Sequence, residues 1–188
     1  LETLEVSRST GVVAYVGFNL RASPAYEKMK QIVSSGQLGT LIHASGLEGL
    51  HTAHGASFMR RFHRLSKYSG GLLNHKCSHD IDIMLWIIGH PKIKRISSMG
   101  GVQIFTPDKQ PATNCSVCPI NHSCPYVAKP GFVFPVTGGL TIYHQDTAVY
   151  GGDLCVYSPD KDLVDHQLVI MELENGMKAD FSLQMFGH

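Results

Sequence analysis

Hydrophobic residues recur along the chain in short runs whose spacing names the elements. Val12, Val13, Ala14, Tyr15 and Val16 form an unbroken apolar run between Gly11 and Phe18, the pattern of a strand buried on both faces. Ser23 before Pro24 marks a helix start, with serine as N-cap and proline at the first helical position. Tyr26, Met29, Ile32 and Val33 repeat behind it at helical spacing, and Gly36 closes the helix. Leu41 to Leu47 predicts a strand. After Gly70-Gly71 a second helix is expected over about Asn74 to Ile88, stopped by Gly89 and Pro91. At about 100° per residue, His75, His79, Asp82 and Trp86 share one stripe of it. Cys77, Ile81, Met84, Leu85 and Ile88 form the opposite, apolar face.

Lys92 to Phe105 reads as a further strand, and the tail, Asp165 to Phe186, as a hairpin. Alternation puts Val169, Met171 and Leu173 on one face, followed by Met177, Ala179, Phe181 and Leu183. A two-residue turn at Asn175-Gly176 would set Leu173 against Lys178 and mismatch the faces. A three-residue loop, Glu174-Asn175-Gly176, instead pairs Leu173 with Met177 and Glu172 with Lys178, with Gly176 left-handed. The predicted fold class is α+β: an open, largely antiparallel β-sheet with helices packed on one face. The other face mixes Leu168 and Ile170 with Glu172, Asp180 and Ser182, which suits a subunit interface, so a homo-oligomer is expected.

Composition narrows the class. The 188 residues are 43% hydrophobic and 16% charged, enough for one folded core and too apolar for a disordered chain. Sixteen Lys plus Arg against fifteen Asp plus Glu leave +1, so no global field advertises a nucleic-acid partner. The longest apolar stretch, Ile83 to Ile88, is too short to span a bilayer, and no basic-then-apolar leader opens the chain. No membrane partner and a cytoplasmic location are expected. Five cysteines, an odd number, favour reduced thiols over a disulfide framework. Beginning at Leu1 and stopping inside a strand-like run, the sequence reads as part of a longer chain.

The balanced net charge hides a local asymmetry. Gly49 to His79 holds no acidic residue, but carries Arg60, Arg61, Arg64, Lys67 and Lys76 with five histidines. Such a stretch is either a solvated basic loop or the rim of a pocket for an anionic or hydroxyl-rich ligand. Further on, Pro107, Pro111, Pro119, Pro125, Pro130 and Pro135 punctuate a loop long enough to need a function or a brace. Cys115-x-x-Cys118-x5-Cys124 in that loop has the tight first pair of a metal knuckle. Three thiolates do not complete a tetrahedral zinc site, and a fourth ligand could come from Cys77, Cys155 or His122. Cys115, Cys118 and Cys124, with Cys77 as provisional fourth, are the candidate ligands of a structural zinc. An iron–sulfur centre would need the same count, and plain reduced cysteines packing as small hydrophobes is the other reading. The sequence has no G-x-G-x-x-G and no phosphate-binding P-loop.

Two stretches, Val16 to Pro24 (V-G-F-N-L-R-A-S-P) and Gly70 to Asp82 (G-G-L-L-N-H-K-C-S-H-D-I-D), resemble segments of the Gfo/Idh/MocA family, nicotinamide-dependent dehydrogenases of sugars, inositols and related polyols. Cys155-Val156-Tyr157, Asp165-His166-Gln167 and Cys124-Pro125-Tyr126 are similar to one branch of it. The resemblance implies a two-domain parent whose N-terminal Rossmann domain holds NAD or NADP and an E-K-P lysine. Residues 1–20 would then be the remnant of that domain, ending in its last strand, and 21–188 the substrate and oligomerisation domain. It implies catalytic roles for His79, His75 and Asp82, although the family's helix reads D-x-x-x-H-x-x-D and His75 stands where the first Asp would. Substrate hydroxyls would be held by Arg60, Arg61, His63, Arg64 and Lys76, and cofactor contacts could come from Asn19 and Arg21. An NAD-dependent glycosidase relative and a cysteine-braced interaction module are the alternative functions, and the isolated chain is expected to be inactive.

Overall fold

The computed structural model describes residues 2–128 and 152–187; Pro130 and Pro135 lie outside the described residues. Its first helix, α1 (Glu2–Thr10), buries no side chain. Next comes α2 (Pro24–Ser34), starting after Ser23 and ending before a left-handed Gly36, where the apolar spacing places it. A four-stranded sheet follows from β1 (His43–His51), β2 (Ile93–Gly101), β3 (His166–Leu173) and β4 (Lys178–Gly187), in the order β1-β4-β3-β2. β3 is antiparallel to both neighbours and β1 runs parallel to β4, so the open, largely antiparallel sheet is the one that forms.

The tail takes the register that alternation requires. Glu172 pairs with Lys178, the Leu173 N–H donates to the Met177 carbonyl at 2.9 Å, and Gly176 has φ +87°. A Cβ at that φ would be strained. All seven apolar residues assigned to the inner face are buried, and Met185 joins them. Leu47, Met99, Leu168 and Ile170 are exposed on the outer face.

The inner face is covered by α3 (Thr52–Arg60) and α6 (Cys77–Ile87), with α4 (Ser66–Ser69) and α5 (Gly71–His75) in the chain between them. Much of the basic segment is therefore helical and is not a loop. The close approach of α3 to β4 depends on Gly55, where a Cβ would lie 1.7 Å from the Met185 carbonyl oxygen. Leu50, Phe58, Met59 and Cys77 enter the same core as the sheet's inner residues. Among the described residues no helix is long and apolar enough to cross a membrane.

Several elements differ from the sequence pattern, and β1, expected over Leu41 to Leu47, runs from His43 to His51. Gly11 to Phe18 forms no strand, and Val12, Val13, Tyr15 and Val16 are exposed. The run has a strand's composition but no strand beside it among the described residues to take its N–H and C=O groups. The helix over 74–88 is two helices that break at Lys76, where the side chain reaches Glu48 on β1. The strand from Lys92 stops at Gly101 because the next amides leave the ladder. Gln103, Ile104 and Phe105 donate their N–H groups to one oxygen of the fully buried Asp165 at 3.0, 2.7 and 3.0 Å.

Candidate active site

A cleft of about 860 Å³ opens where α2, α3 and α6 meet β1. Its floor is apolar, with Ile83, Met84 and Ile87 from α6 and Phe181 from β4. Its polar wall comes from Glu48, His54, Arg61, His63, His75, Lys76, His79 and Asp80. The α6 stripe is thus not a face turned away from apolar surface: His79, Ile83 and Ile87 line one space. The ring of Phe18 meets that of His79 edge-on, with centroids 5.9 Å apart.

Lys76 is the electrostatic centre of the wall. It pairs with Glu48 and, at 3.2 Å, with Asp80 one turn along. Burial pulls the Lys76 pKa down, but the bonds to the two carboxylates outweigh it and the pKa is raised. Burial, then the neighbouring Glu48, pushes Asp80 up to about 6 against the pull of Lys76. One ammonium therefore faces two carboxylates, and Asp80 is held above the usual carboxylate range.

Three imidazoles of the wall, those of His54, His63 and His75, are shifted toward the neutral form. Burial, followed by the charges of His75, Arg61 and His54, lowers His63 to about 3. His54 is lowered by burial and Lys76, and His75 by burial and His79. His63 lies between the rings of Phe58 and Phe62, with centroids at 4.6 and 3.9 Å, and 4.6 Å from the ring of His75. The Nδ1 atoms of His63 and His75 are buried there without a hydrogen-bond partner. Arg61 faces the cleft from the turn after α3, and among the described residues no carboxylate pairs with it.

Several residues named from the sequence are occupied elsewhere. Arg60 is buried beneath the cysteine loop, donating to the carbonyls of Leu154 at 2.7 Å and Tyr126 at 2.6 Å. Arg64 is buried against Asp160, donating to its carbonyl at 2.9 Å and its carboxylate at 2.6 Å. Both are structural clamps and do not line the cleft. Asp82 is taken by Arg21 in a two-pronged pair, 2.8 Å from Nε to Oδ2, and does not orient His79. That pair ties the turn at Asn19–Ala22 to α6. Of the two candidate cofactor contacts, only Asn19 lines the cleft. His54 belongs to the basic stretch read as a pocket rim, whereas Glu48 and Asp80 carry no such signal: an isolated carboxylate on β1 has no sequence mark, and Asp80 lies one position off the stripe.

The cysteine loop is a separate unit. Cys115, Cys118, Cys124 and Cys155 line one cavity of about 10 Å³, and all five cysteines are free. Cys77 is not part of it. It sits in the core at the start of α6, where burial and then Asp80 push its thiol up to about 12. Among the described residues no three His, Cys, Asp or Glu groups are gathered as a formed metal site.

Comparison with known proteins places this geometry. The family model described as "GFO/IDH/MocA C-terminal domain" matches residues 26–188. The Bacillus subtilis (strain 168) protein YteT, provisionally named an oxidoreductase, is 24% identical over 94% of this chain and 44% of its own length. The scyllo-inositol 2-dehydrogenase (NAD(+)) of the same organism is 32% identical over 52% of this chain and 26% of its own. The chain thus spans less than half the length of these relatives. Among solved structures, a protein provisionally named myo-inositol dehydrogenase from Sinorhizobium meliloti 1021 shares the fold, with TM-score 0.59 and 17% identity over 98% of this chain and 38% of that one.

Proposed function

Because the chain belongs to the Gfo/Idh/MocA family, through that family's C-terminal domain, we propose that it forms the substrate wall of an NAD(P)-dependent oxidoreductase acting on a sugar, inositol or related polyol. On this reading residues 21–188 are the substrate domain and residues 1–20 belong to the domain before it. The exposed apolar run Val12 to Val16 would then find its strand neighbours there.

The observation that carries the proposal is the company His79 keeps. It shares one cleft with Lys76, Asp80, Arg61 and an apolar floor. Oxidising an alcohol needs a base for the hydroxyl proton as hydride leaves the same carbon, and imidazole suits that role near neutral pH. Bound nicotinamide would accept the hydride. The dinucleotide fingerprint is absent from this sequence, so the chain's share of holding that cofactor is limited to cleft-edge residues such as Asn19. Arg61 and the neutral His54 and His63 would hold substrate hydroxyls, and the Lys76–Glu48–Asp80 group would pass on the proton taken by His79. Ile83, Met84 and Ile87 keep water from the opposite side.

In the parent protein, assayed for NAD(P)H formation with a panel of inositols and aldoses, His79→Ala should lower kcat by about 10²–10⁴. A variant with near-normal kcat at neutral pH overturns the assignment. The same reading expects self-association through the outer sheet face, where Leu47, Met99, Leu168 and Ile170 surround Asp180, which is bonded to His43 and Ser45. A monomer mass by light scattering at tens of micromolar would refute it.

A further inference from the structure

The cysteine loop is joined to the core in a way that brings four cysteines to the lining of one cavity. Asn114 and Leu154 form an antiparallel bridge, flanked by the Cys115 N–H donating to the Asp153 carbonyl at 2.8 Å and the Cys155 N–H donating to the Thr113 carbonyl at 2.9 Å. Cys115 and Cys155, forty positions apart, are therefore held diagonally across one short ladder, on the same face of it. The Cys118 N–H closes the C-x-x-C turn on the Cys115 carbonyl at 3.2 Å, and Cys124 completes the lining of the cavity. The Asp153 carboxylate pins the same corner through Asn114 and the Ser116 N–H, both at 2.8 Å.

A second observation concerns charge. Arg60 is 7% exposed, and its hydrogen-bond partners are the carbonyls of Leu154 and Tyr126 and, at 3.8 Å, the Cys115 sulfur. Among the described residues no carboxylate accompanies it. A buried guanidinium without a counter-charge is costly, and proteins ordinarily pair one. The Ala128 N–H also donates to the Cys115 sulfur, at 3.5 Å. Two donors, one of them cationic, converge on a sulfur that as a neutral thiol gives little in return.

We propose that Cys115, Cys118, Cys124 and Cys155 form a structural zinc site that braces the proline-rich loop, with Arg60 as its buried counter-ion. Binding replaces four S–H bonds with four Zn–S bonds and releases four protons to solvent, with no change of oxidation state. The zinc tetrathiolate carries two negative charges, which supply the counter-charge that Arg60 lacks. The sulfurs as placed are not drawn into a coordination shell. Each turns on a single side-chain bond, and a step between staggered positions moves a sulfur by roughly 3 Å. Four thiolates complete the tetrahedral shell of one zinc ion. The site is independent of the cleft chemistry and stands or falls without it.

The test uses the parent protein purified under reducing conditions without chelator. Elemental analysis should find one zinc per chain. Exchange for cobalt should give the strong visible bands of a four-sulfur tetrahedral site, a readout unrelated to turnover. Cys155→Ser should weaken zinc binding at least tenfold against a competing chelating dye, whereas Cys77→Ser should leave metal content and the cobalt spectrum unchanged. If Cys155→Ser fails to fold, the wild-type cobalt spectrum still decides the question. Metal-free protein with freely reactive native thiols, an iron–sulfur absorption, or a cobalt spectrum altered by Cys77→Ser would each overturn the proposal.

Discussion

Replacing Asp165 with alanine should be among the most damaging single changes in the fold. One carboxylate oxygen accepts three successive backbone N–H groups, and the other contacts the His166 ring at 2.8 Å. The residue is completely buried. Burial by itself would raise its pKa, but the His166 bond and the three amides reverse the sign and hold it below the usual carboxylate value. Truncation strands three N–H groups in the interior, each costing about 1–3 kcal/mol. Because they share one acceptor their costs do not add fully, so a loss of about 3–5 kcal/mol is expected. Asp165→Asn, which keeps a neutral acceptor, should lose about half as much. Urea unfolding followed by the fluorescence of Trp86, the only tryptophan, measures both. An alanine variant within about 1 kcal/mol of wild type would show that these amides find other partners, and would refute the reasoning.

Gly55→Ala should destabilise the protein by about 2 kcal/mol or more, because the new methyl meets the Met185 carbonyl and α3 must lift from β4. The gain of about 1 kcal/mol in helix propensity does not offset this, and an unchanged or higher Tm would contradict it. His63 makes stability pH-dependent: folded it titrates near 3 and unfolded near 6.5, so the unfolded state binds the proton first. Its contribution is complete above pH 6.5 and is lost as pH falls toward 3, by up to about 1.4 kcal/mol per pH unit. Wild type and His63→Phe should therefore diverge over that window in urea midpoints, and parallel curves would count against a neutral buried ring.

The parts of the fold legible in the sequence are those fixed by neighbours in the chain. The hairpin register followed from requiring Val169, Met171 and Leu173 to share a face with Met177 and Ala179, a constraint satisfied by one loop length. Helix α2 followed from Ser23-Pro24 and Gly36 in the same way. Gly11 to Phe18 failed because strand composition states a preference, whereas a strand exists only beside another. The end of β2 was hidden for a related reason. Nothing near Gly101 says that Asp165, more than sixty residues later, takes the amides that would have continued the ladder.

The basic segment shows where this local legibility stops. Arg60, Arg61 and Arg64 look alike in the sequence, yet the structure uses Arg60 and Arg64 to hold distant carbonyls and leaves Arg61 facing the cleft. Which arginine is a clamp depends on the packing of residues 154 and 160, separated from the segment by about ninety positions. Helical spacing carries the same ambiguity: it aligned His79 with Asp82, but Arg21 reaches Asp82 from outside the helix and removes it from the cleft. Charge composition thus located the cleft without sorting its members. The sorting follows from a physical rule: a guanidinium whose donors are taken up by backbone carbonyls and side chains of distant segments is part of the frame. One that lines a cleft without a carboxylate is free to meet a ligand, and by that rule Arg61 is the arginine that the proposed function assigns to the substrate.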